Sequence, residues 1–207
     1  MLKTTRKGNW MEIITPNSWN GNTIEDIFRT EWEVPKKLTH LYRMEHNVLV
    51  NGNKANWKLP LNLGDKVLIK LSAEEELKDA PHFFHDIQVL FEDDHVIVFN
   101  KPAFMNTHPN DETDKNTLLH AAQFYMHSKG ENVDIRHVHR LDKDTTGAIL
   151  FAKHALAGAI LDRMLEKHEL KRTYIAIVHG HLKKQQGTIH EPIGRDRHHP
   201  TRRRVSP

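Results

Sequence analysis

The sequence predicts an α+β fold in two parts, a small module at residues 1–73 and a larger sheet-containing domain at residues 85–207. Both parts mix short helical patterns with runs that are typical of strands. Residues 74–84 begin as an acidic and polar run that reaches Pro81, which indicates a linker. Of the 207 residues, 38% are hydrophobic and 28% are charged, a composition that can bury a core in one or two domains.

The first part is predicted to contain two short helices. Asn22 and Thr23 are suited to cap a helix over residues 24–28, whose first turn is acidic, as the helix dipole favours. Pro35 opens a second helix over residues 36–45, which has apolar residues at helical spacing. The basic side chains of this second helix are Lys36, Lys37 and Arg43.

Two strand regions complete the first part. Residues 48–53 predict a strand that enters a hairpin, because Asn51-Gly52 is a strong turn signal. Residues 63–70 predict a turn followed by an alternating strand.

The second part opens with two apolar strands over residues 87–101, which are separated by an acidic turn and ended by Lys101-Pro102. Apolar residues at helical spacing then predict helices over residues 117–127 and 155–168. Alternating apolar residues at 171–178 predict a further strand.

The segment HRLDKDTTG at residues 139–147 concentrates functional side chains. Asp142 lies beside Arg140 and Lys143, and nearby cations favour the charged form of a carboxylate, so we expect an ionised nucleophile. Arg140 can pair with a phosphate or stack into a base step, which suits an enzyme that extracts a base. Taken alone, a loop with adjacent Arg and Asp that ends in glycine is more often a salt-bridged turn.

This segment resembles the HRLDxxTSG signature of RluA-type pseudouridine synthases, with Thr146 where the family usually has serine. The similarity continues over residues 148–154, AILFAKH. The resemblance implies that Asp142 is the catalytic aspartate, that Arg140 helps to flip the target uridine, and that residues 145–147 form a turn holding the aspartate's loop. It also implies RNA contacts for His139, Lys143 and Thr145.

Residues 171–178, KRTYIAIV, resemble the family's KxxYxAxV signature. By this resemblance, Tyr174 lies against the target ring and assists proton transfer, and Lys171 contacts RNA. On the strand pattern alone, the better interpretation of Tyr174 is an ordinary cross-strand aromatic residue. The opening of the second part also resembles the family, with Phe104 in place of a glycine, and we expect Phe104 to impose an ordinary backbone conformation there.

The first part resembles the alpha-L RNA-binding motif that some of these synthases carry at the N-terminus. The resemblance implies RNA contacts through Lys36, Lys37 and Arg43, while a generic α+β unit with a solvated basic helix stays open as an alternative. Together, the resemblances predict an alpha-L-type module followed by a mixed, mainly antiparallel catalytic domain of pseudouridine synthase type.

The distribution of charge bears on RNA contacts, and the composition bears on the cellular location. The net charge is +3, whereas residues 194–207 alone hold five arginines against one acidic residue. We expect Arg202 and Arg203 to contact RNA, with a solvated terminus as the alternative. The chain has no cysteine, no secretory signal and no apolar stretch of membrane-spanning length, so we expect a cytoplasmic protein that binds no membrane. We also expect a monomer.

The 17 histidines raise the question of a metal site. The pairs His137/His139 and His179/His181 each share a face if the chain is extended, as ligands do. However, no HExxH arrangement occurs and no carboxylate stands at a ligand offset. We therefore expect no metal site, and the resemblance to the pseudouridine synthases implies that no other cofactor is needed.

The predicted function is the isomerisation of a specific uridine to pseudouridine in structured RNA, either rRNA or tRNA. Two routes stay open at Asp142, attack on the ribose C1′ or removal of a ribose proton. A third family signature, around GRtHQIRvH, does not occur in the sequence, and in the family it supplies a basic partner for the aspartate. We therefore expect a C-terminally incomplete catalytic domain, and the alternative function is a non-catalytic RNA-binding protein derived by truncation.

Overall fold

The computed structural model describes residues 2–71, 86–131, 133–199 and 202–206. By its internal contacts the chain divides into two compact units, Met1–Lys171 and Arg172–Pro207. The predicted linker at residues 74–84 lies outside the described residues. None of the helices in the described part of the chain is long and apolar enough to cross a membrane.

The N-terminal module, residues 2–71, contains one antiparallel sheet. Its strands are β1 (Thr4–Lys7), β2 (Trp10–Ile14), β3 (Val48–Val50), β4 (Asn53–Lys54) and β5 (Lys66–Lys70). They lie in the order β1-β2-β5-β3-β4. The predicted hairpin turn is confirmed, since Asn51 and Gly52 have φ values of 51° and 82°, and a type I′ turn requires positive φ at both central residues. Strands β1 and β2 were absent from the sequence-based prediction.

The two predicted helices of the module are present. Helix α1 (Ile24–Asp26) begins with a capping box, in which the N–H of Asp26 donates to Thr23 Oγ1 and the N–H of Thr23 donates to an Asp26 carboxylate oxygen. It continues into a wide turn, Ile27–Glu31. Helix α2 (Lys36–Met44) follows Pro35 as predicted.

Aromatic side chains fill the core of the module. Phe28 is fully buried, and its ring centroid lies 4.9–5.5 Å from those of Trp32, Tyr42 and Trp57. Such tilted and edge-on pairs stabilise beyond their buried area by about 1 kcal/mol each. Leu156 and Ala159, which are distant in sequence, belong to the same apolar cluster.

The first unit, Met1–Lys171, contains a second sheet, which has four antiparallel strands. They are β6 (Val89–Glu92), β7 (Val96–Lys101), β8 (Arg136–His137) and β9 (Gly147–Ala152), and they lie in the order β6-β7-β9-β8. Alternate residues of β7 and β9 are buried, and Ile97, Phe99, Ile149 and Phe151 have no exposed surface. Helix α3 (Leu118–Ser128) packs its apolar face against them, and helix α4 (Ala155–Glu166) follows β9. The α+β class with antiparallel sheets is thus confirmed.

In the second unit, two short strands, β10 (Ile193–Arg195) and β11 (Arg203–Val205), form a hairpin. The strand predicted over residues 171–178 is not formed, and the side chains of Ile175 and Ile177 are fully exposed. The alternating pattern is present, but no described strand pairs with this segment. An extended segment without a neighbour leaves its N–H and C=O groups to water, so its pattern alone does not make a strand.

Candidate active site

The loop between β8 and β9 carries Asp142, and its two neighbours in sequence are both anchored. On one side, the Thr107 hydroxyl donates to the carbonyl of Leu141 at 3.0 Å and accepts from the Leu141 N–H at 3.2 Å. Thr107 and Leu141 are buried, whereas Asp142 is exposed. A buried hydroxyl that both donates and accepts holds the backbone in one position.

On the other side of Asp142, Lys101 anchors Lys143. Lys101 ends β7 and has no exposed surface. Its ammonium donates to the carbonyls of Pro102 at 2.9 Å, Met105 at 2.7 Å and Lys143 at 2.9 Å. All three ammonium protons are therefore used, and the loop after β7 is joined to the loop that carries Asp142.

The electrostatics around Lys101 act in opposite directions. Burial lowers the pKa of the Lys101 ammonium, while the negative charges of Asp144 and Asp142 partly offset this effect. A buried ammonium is tolerated because its carbonyl acceptors replace water. Lys101 and Thr107 were not singled out as residues of the site from the sequence, although a lysine that ends an apolar strand was a usable signal.

The Asp142 loop ends in a tight turn. The N–H of Thr145 donates to the carbonyl of Asp142 at 3.1 Å. Gly147 then begins β9 with a φ of 125°, which side chains rarely adopt. The turn is therefore formed by residues 142–145, whereas the predicted turn was at 145–147, and Gly147 already belongs to β9.

Phe104 corrects one expectation. We expected an ordinary backbone at this position, but Phe104 has a φ of 64°, in the left-handed region. Its side chain is 78% exposed, so no packing contact compels the conformation. The loop that supplies acceptors to Lys101 includes Pro102 and Met105, which flank Phe104, and this shared geometry imposes the left-handed backbone.

Histidine side chains lie close in sequence to the Phe104 loop and to the Asp142 loop. The rings of His108 and His137 are stacked, with centroids 4.8 Å apart and planes 6° from parallel. Burial lowers the pKa of His137, and the positive charges of His108 and Arg136 lower it further. His139 accepts a hydrogen bond from the N–H of Leu150 at its Nε2 atom. Among the described residues, no group of three or more His, Asp or Glu side chains is arranged to hold a metal ion.

The predicted RNA-contacting residues lie at several places. Arg140 and Lys143 are exposed beside Asp142, and Thr145 is half-buried. Lys36 and Lys37 are exposed at the start of α2. Arg43 differs from them, because it pairs with Glu25 at 3.3 Å and its guanidinium lies 4.9 Å from the Trp57 ring centroid.

The remaining predicted residues are close to the second unit or within it. Lys171 is exposed at the end of the first unit. Tyr174 lies in the second unit with 57% of its side chain exposed. Arg203 belongs to β11 opposite Arg195, and the carbonyl of Arg202 accepts from the N–H of Asp196. Arginine is thus concentrated on one exposed hairpin.

Comparison with known proteins identifies relatives of both parts. Residues 11–67 match the RluD ribosomal pseudouridine synthase N-terminal domain, and residues 95–206 match the RNA pseudouridylate synthase family. The chain is 42% identical over 202 residues to the uncharacterized RNA pseudouridine synthase YhcT of Bacillus subtilis, covering 98% of this chain and 67% of that protein.

Two further relatives agree. The uncharacterized RNA pseudouridine synthase YjbO of Bacillus subtilis is 32% identical over 146 residues, covering 70% of this chain and 52% of that protein. Ribosomal large subunit pseudouridine synthase D of Escherichia coli K12 is 35% identical over 161 residues, covering 77% of this chain and 48% of that protein. The chain thus spans from about half to two thirds of these relatives' lengths. From the matches to both parts and the signature around Asp142, the chain belongs to the RNA pseudouridylate synthase family, as a member of its RluA type.

Proposed function

We propose that this protein isomerises a specific uridine to pseudouridine in structured RNA, with Asp142 as the catalytic residue. The observation that carries the proposal is the double anchoring of the loop, with Leu141 held by Thr107 and Lys143 held by Lys101, while Asp142 between them faces solvent. An accessible carboxylate on a backbone that is fixed on both sides meets a reacting atom with little reorganisation of the loop at each turnover.

The chemistry begins with extrusion of the target uridine from its stack, which costs roughly a few kcal/mol and least for an unpaired base. Arg140 holds the extruded nucleotide. Asp142 then promotes cleavage of the glycosidic bond, by attack on C1′ or by removal of a ribose proton. The freed uracil rotates and is rejoined through C5, while Tyr174 stacks on the ring and assists proton transfer. No metal or organic cofactor is needed for these steps.

RNA is held over an extended basic surface in this proposal. The contacts are made by His139, Lys143, Thr145, Lys171, Lys36, Lys37, Arg43, Arg202 and Arg203. The exposed arginine hairpin and the exposed lysines of α2 support this assignment, because phosphate contacts from exposed cations dominate affinity for nucleic acids. Since relatives are named as ribosomal large subunit synthases, rRNA is the favoured substrate over tRNA.

The domain assignment is part of the same proposal. Residues 1–73 form the RNA-binding module, residues 74–84 the linker and residues 85–207 the catalytic domain. The protein acts as a monomer in the cytoplasm, where rRNA is processed.

The test uses unmodified transcripts of rRNA and tRNA, which are incubated with the chain and read by pseudouridine-sensitive sequencing. We expect one uridine to be converted, and Asp142→Asn to abolish conversion while RNA affinity stays within about twofold, because the amide keeps the volume but is neither nucleophile nor base. Asp144→Asn is the matched control, since Asp144 is an exposed carboxylate two residues away in the same loop. Pseudouridine formed by Asp142→Asn above the no-enzyme level would contradict the assignment.

A second candidate function is RNA binding without turnover. It is favoured by the exposed, unpaired segment that contains Tyr174, the residue expected to assist proton transfer. The same experiment separates the two functions. Salt-sensitive binding of every RNA by the wild-type chain, with no converted uridine in any, would favour the binding protein.

A further inference from the structure

The first residues of the chain include the edge strand of the module's sheet and also contact residues of the second part of the first unit. Strand β1 pairs with β2 along one edge. Over residues 2–7, which include β1, Leu2, Thr4 and Arg6 are half-buried, whereas the intervening Lys3, Thr5 and Lys7 are exposed. Each half-buried residue contacts a group outside β1 and β2, as set out below, and we call residues 2–7 the N-terminal clasp.

Thr4 ends a chain of hydrogen bonds that begins at helix α4. The N–H of Ala157 donates to His154 Nδ1 at 3.1 Å, so this nitrogen carries no proton and His154 Nε2 does. His154 Nε2 then donates to His95 Nδ1 at 3.0 Å. His95 Nε2 in turn donates to the Thr4 hydroxyl at 3.0 Å. The backbone donor at the start fixes both tautomers, so the direction of the whole chain is determined.

Arg6 enters a cluster of alternating charges. Its guanidinium pairs with Glu131 at 3.0 Å, and the same carboxylate oxygen lies 3.1 Å from the ammonium of Lys153. Lys153 is 3% exposed and also pairs with Glu92 at 2.9 Å. Burial tends to raise the pKa of Glu131, but hydrogen bonds from Arg6 and Lys153 hold it below its usual value. Each half-buried charge in the cluster therefore has an opposite partner, as low polarity requires.

Leu2 adds an apolar contact to the polar ones. It packs against the core cluster of the module, to which α4 contributes Leu156 and Ala159. A cavity of about 230 Å³ remains beside Leu2 and is also lined by Met11, Ile13 and Leu156. The clasp thus adds three kinds of contact to the direct packing of Leu156 and Ala159 in the core of the module.

Neither family match includes the clasp, since the matched ranges are residues 11–67 and 95–206. We propose that the N-terminal clasp fixes the module against the second sheet, and that Thr4 and Arg6 are positioning residues which set where a long structured RNA presents its uridine to Asp142. This inference rests on the proposed function for its RNA substrate.

The expected effect follows from effective concentration. When two binding surfaces are held in a fixed relation, an RNA that spans both gains affinity without new contacts, and loosening that relation reduces the gain. A short stem-loop that occupies only the active site gains nothing from the module. Loss of the clasp is therefore expected to raise KM for long RNA while kcat, and both constants for the stem-loop, stay unchanged.

The test compares Thr4→Val/Arg6→Gln with wild type and with Lys7→Gln. Lys7 is the matched control because it lies on the same strand, but its ion pair with Glu12 stays within the module. We expect KM for full-length rRNA to rise on the order of tenfold in the double variant alone. Arg6→Lys, which keeps the charge facing Glu131, is expected to restore part of the loss relative to Arg6→Gln.

A structural readout separates the clasp from the proposed function. The chain has no cysteine, so Lys58→Cys in the module and Ser128→Cys on α3, both exposed positions, accept a pair of spin labels in every variant. One narrow distance distribution is expected for wild type and Lys7→Gln, and a broad one for the double variant. The same narrow distribution in the double variant, or an equal KM increase for long RNA and stem-loop, would overturn the inference. If no RNA is converted at all, the distances still decide whether the clasp holds the module.

Discussion

Replacing Lys101 with methionine tests whether its buried ammonium supports the Asp142 loop. Methionine keeps much of the length and the apolar stem but removes all three donated hydrogen bonds, to the carbonyls of Pro102, Met105 and Lys143. We expect the protein to remain folded but less stable, and the loop around Asp142 to lose its anchor on the Lys143 side.

The magnitude follows from the contacts. Hydrogen bonds from a charged group contribute roughly 1.5–3 kcal/mol each, so the loss of three removes roughly 5–9 kcal/mol. Methionine also avoids the desolvation of a buried ammonium, which costs several kcal/mol. A net loss of about 3 kcal/mol in the free energy of unfolding remains. With a urea dependence of about 2–3 kcal/mol per molar, the unfolding midpoint should fall by about 1–1.5 M.

Urea unfolding followed by tryptophan fluorescence and circular dichroism measures this shift. Lys54→Met is the matched control, because Lys54 also ends a strand but is exposed and is expected to change the midpoint little. Turnover should fall by about 100-fold through misplacement of Asp142, while RNA affinity stays unchanged because Lys101 has no exposed surface. Equal midpoints for the two variants would refute the anchoring role of Lys101.

Three further predictions concern backbone strain, pH and salt. Phe104→Gly should raise the free energy of unfolding by up to about 1 kcal/mol in urea titrations. The left-handed backbone at φ 64° costs roughly 1–2 kcal/mol for a residue with a side chain, and the greater chain entropy of glycine in the unfolded state offsets only part of that gain. A lower unfolding midpoint for the variant would contradict this prediction. Burial lowers the pKa of His154 to about 3, below its unfolded value of about 6.5, and the positive charges of His95, Arg6 and Lys153 add to this shift. The stability that neutral His154 contributes is therefore fully present above pH 6.5 and is lost as the pH falls toward 3. Between pH 6.5 and 5 wild type should therefore lose about 2 kcal/mol more than His154→Asn, which keeps a helix cap, and parallel pH profiles of unfolding would contradict this. RNA affinity should fall steeply with added salt, because phosphate contacts release counterions, and it should be unchanged by EDTA. Loss of RNA binding on adding EDTA, with recovery on adding zinc, would instead support a metal site formed by histidines.

Local sequence patterns determined most of the secondary structure around the site. The HRLDKDTTG segment, the Asn51-Gly52 turn and the amphipathic helices α2, α3 and α4 were all predictable, because a turn, a cap or one apolar face depends on residues close together in the chain. The family also followed from the sequence, since its signature lies in one continuous segment.

Tertiary structure alone decided what holds that segment in place. Thr107 and Lys101 reach Asp142's neighbours across 34 and 42 residues, and no local pattern encodes such contacts. The same limit applies to strand β1, whose Thr4 and Arg6 find partners 91 and 125 residues away. Residues 171–178 show the opposite case: their sequence has the pattern of a strand, but they pair with no strand among the described residues, and their side chains are exposed. Strands and buried ions exist only when distant groups satisfy them, so the fold and not the local sequence determines where they form.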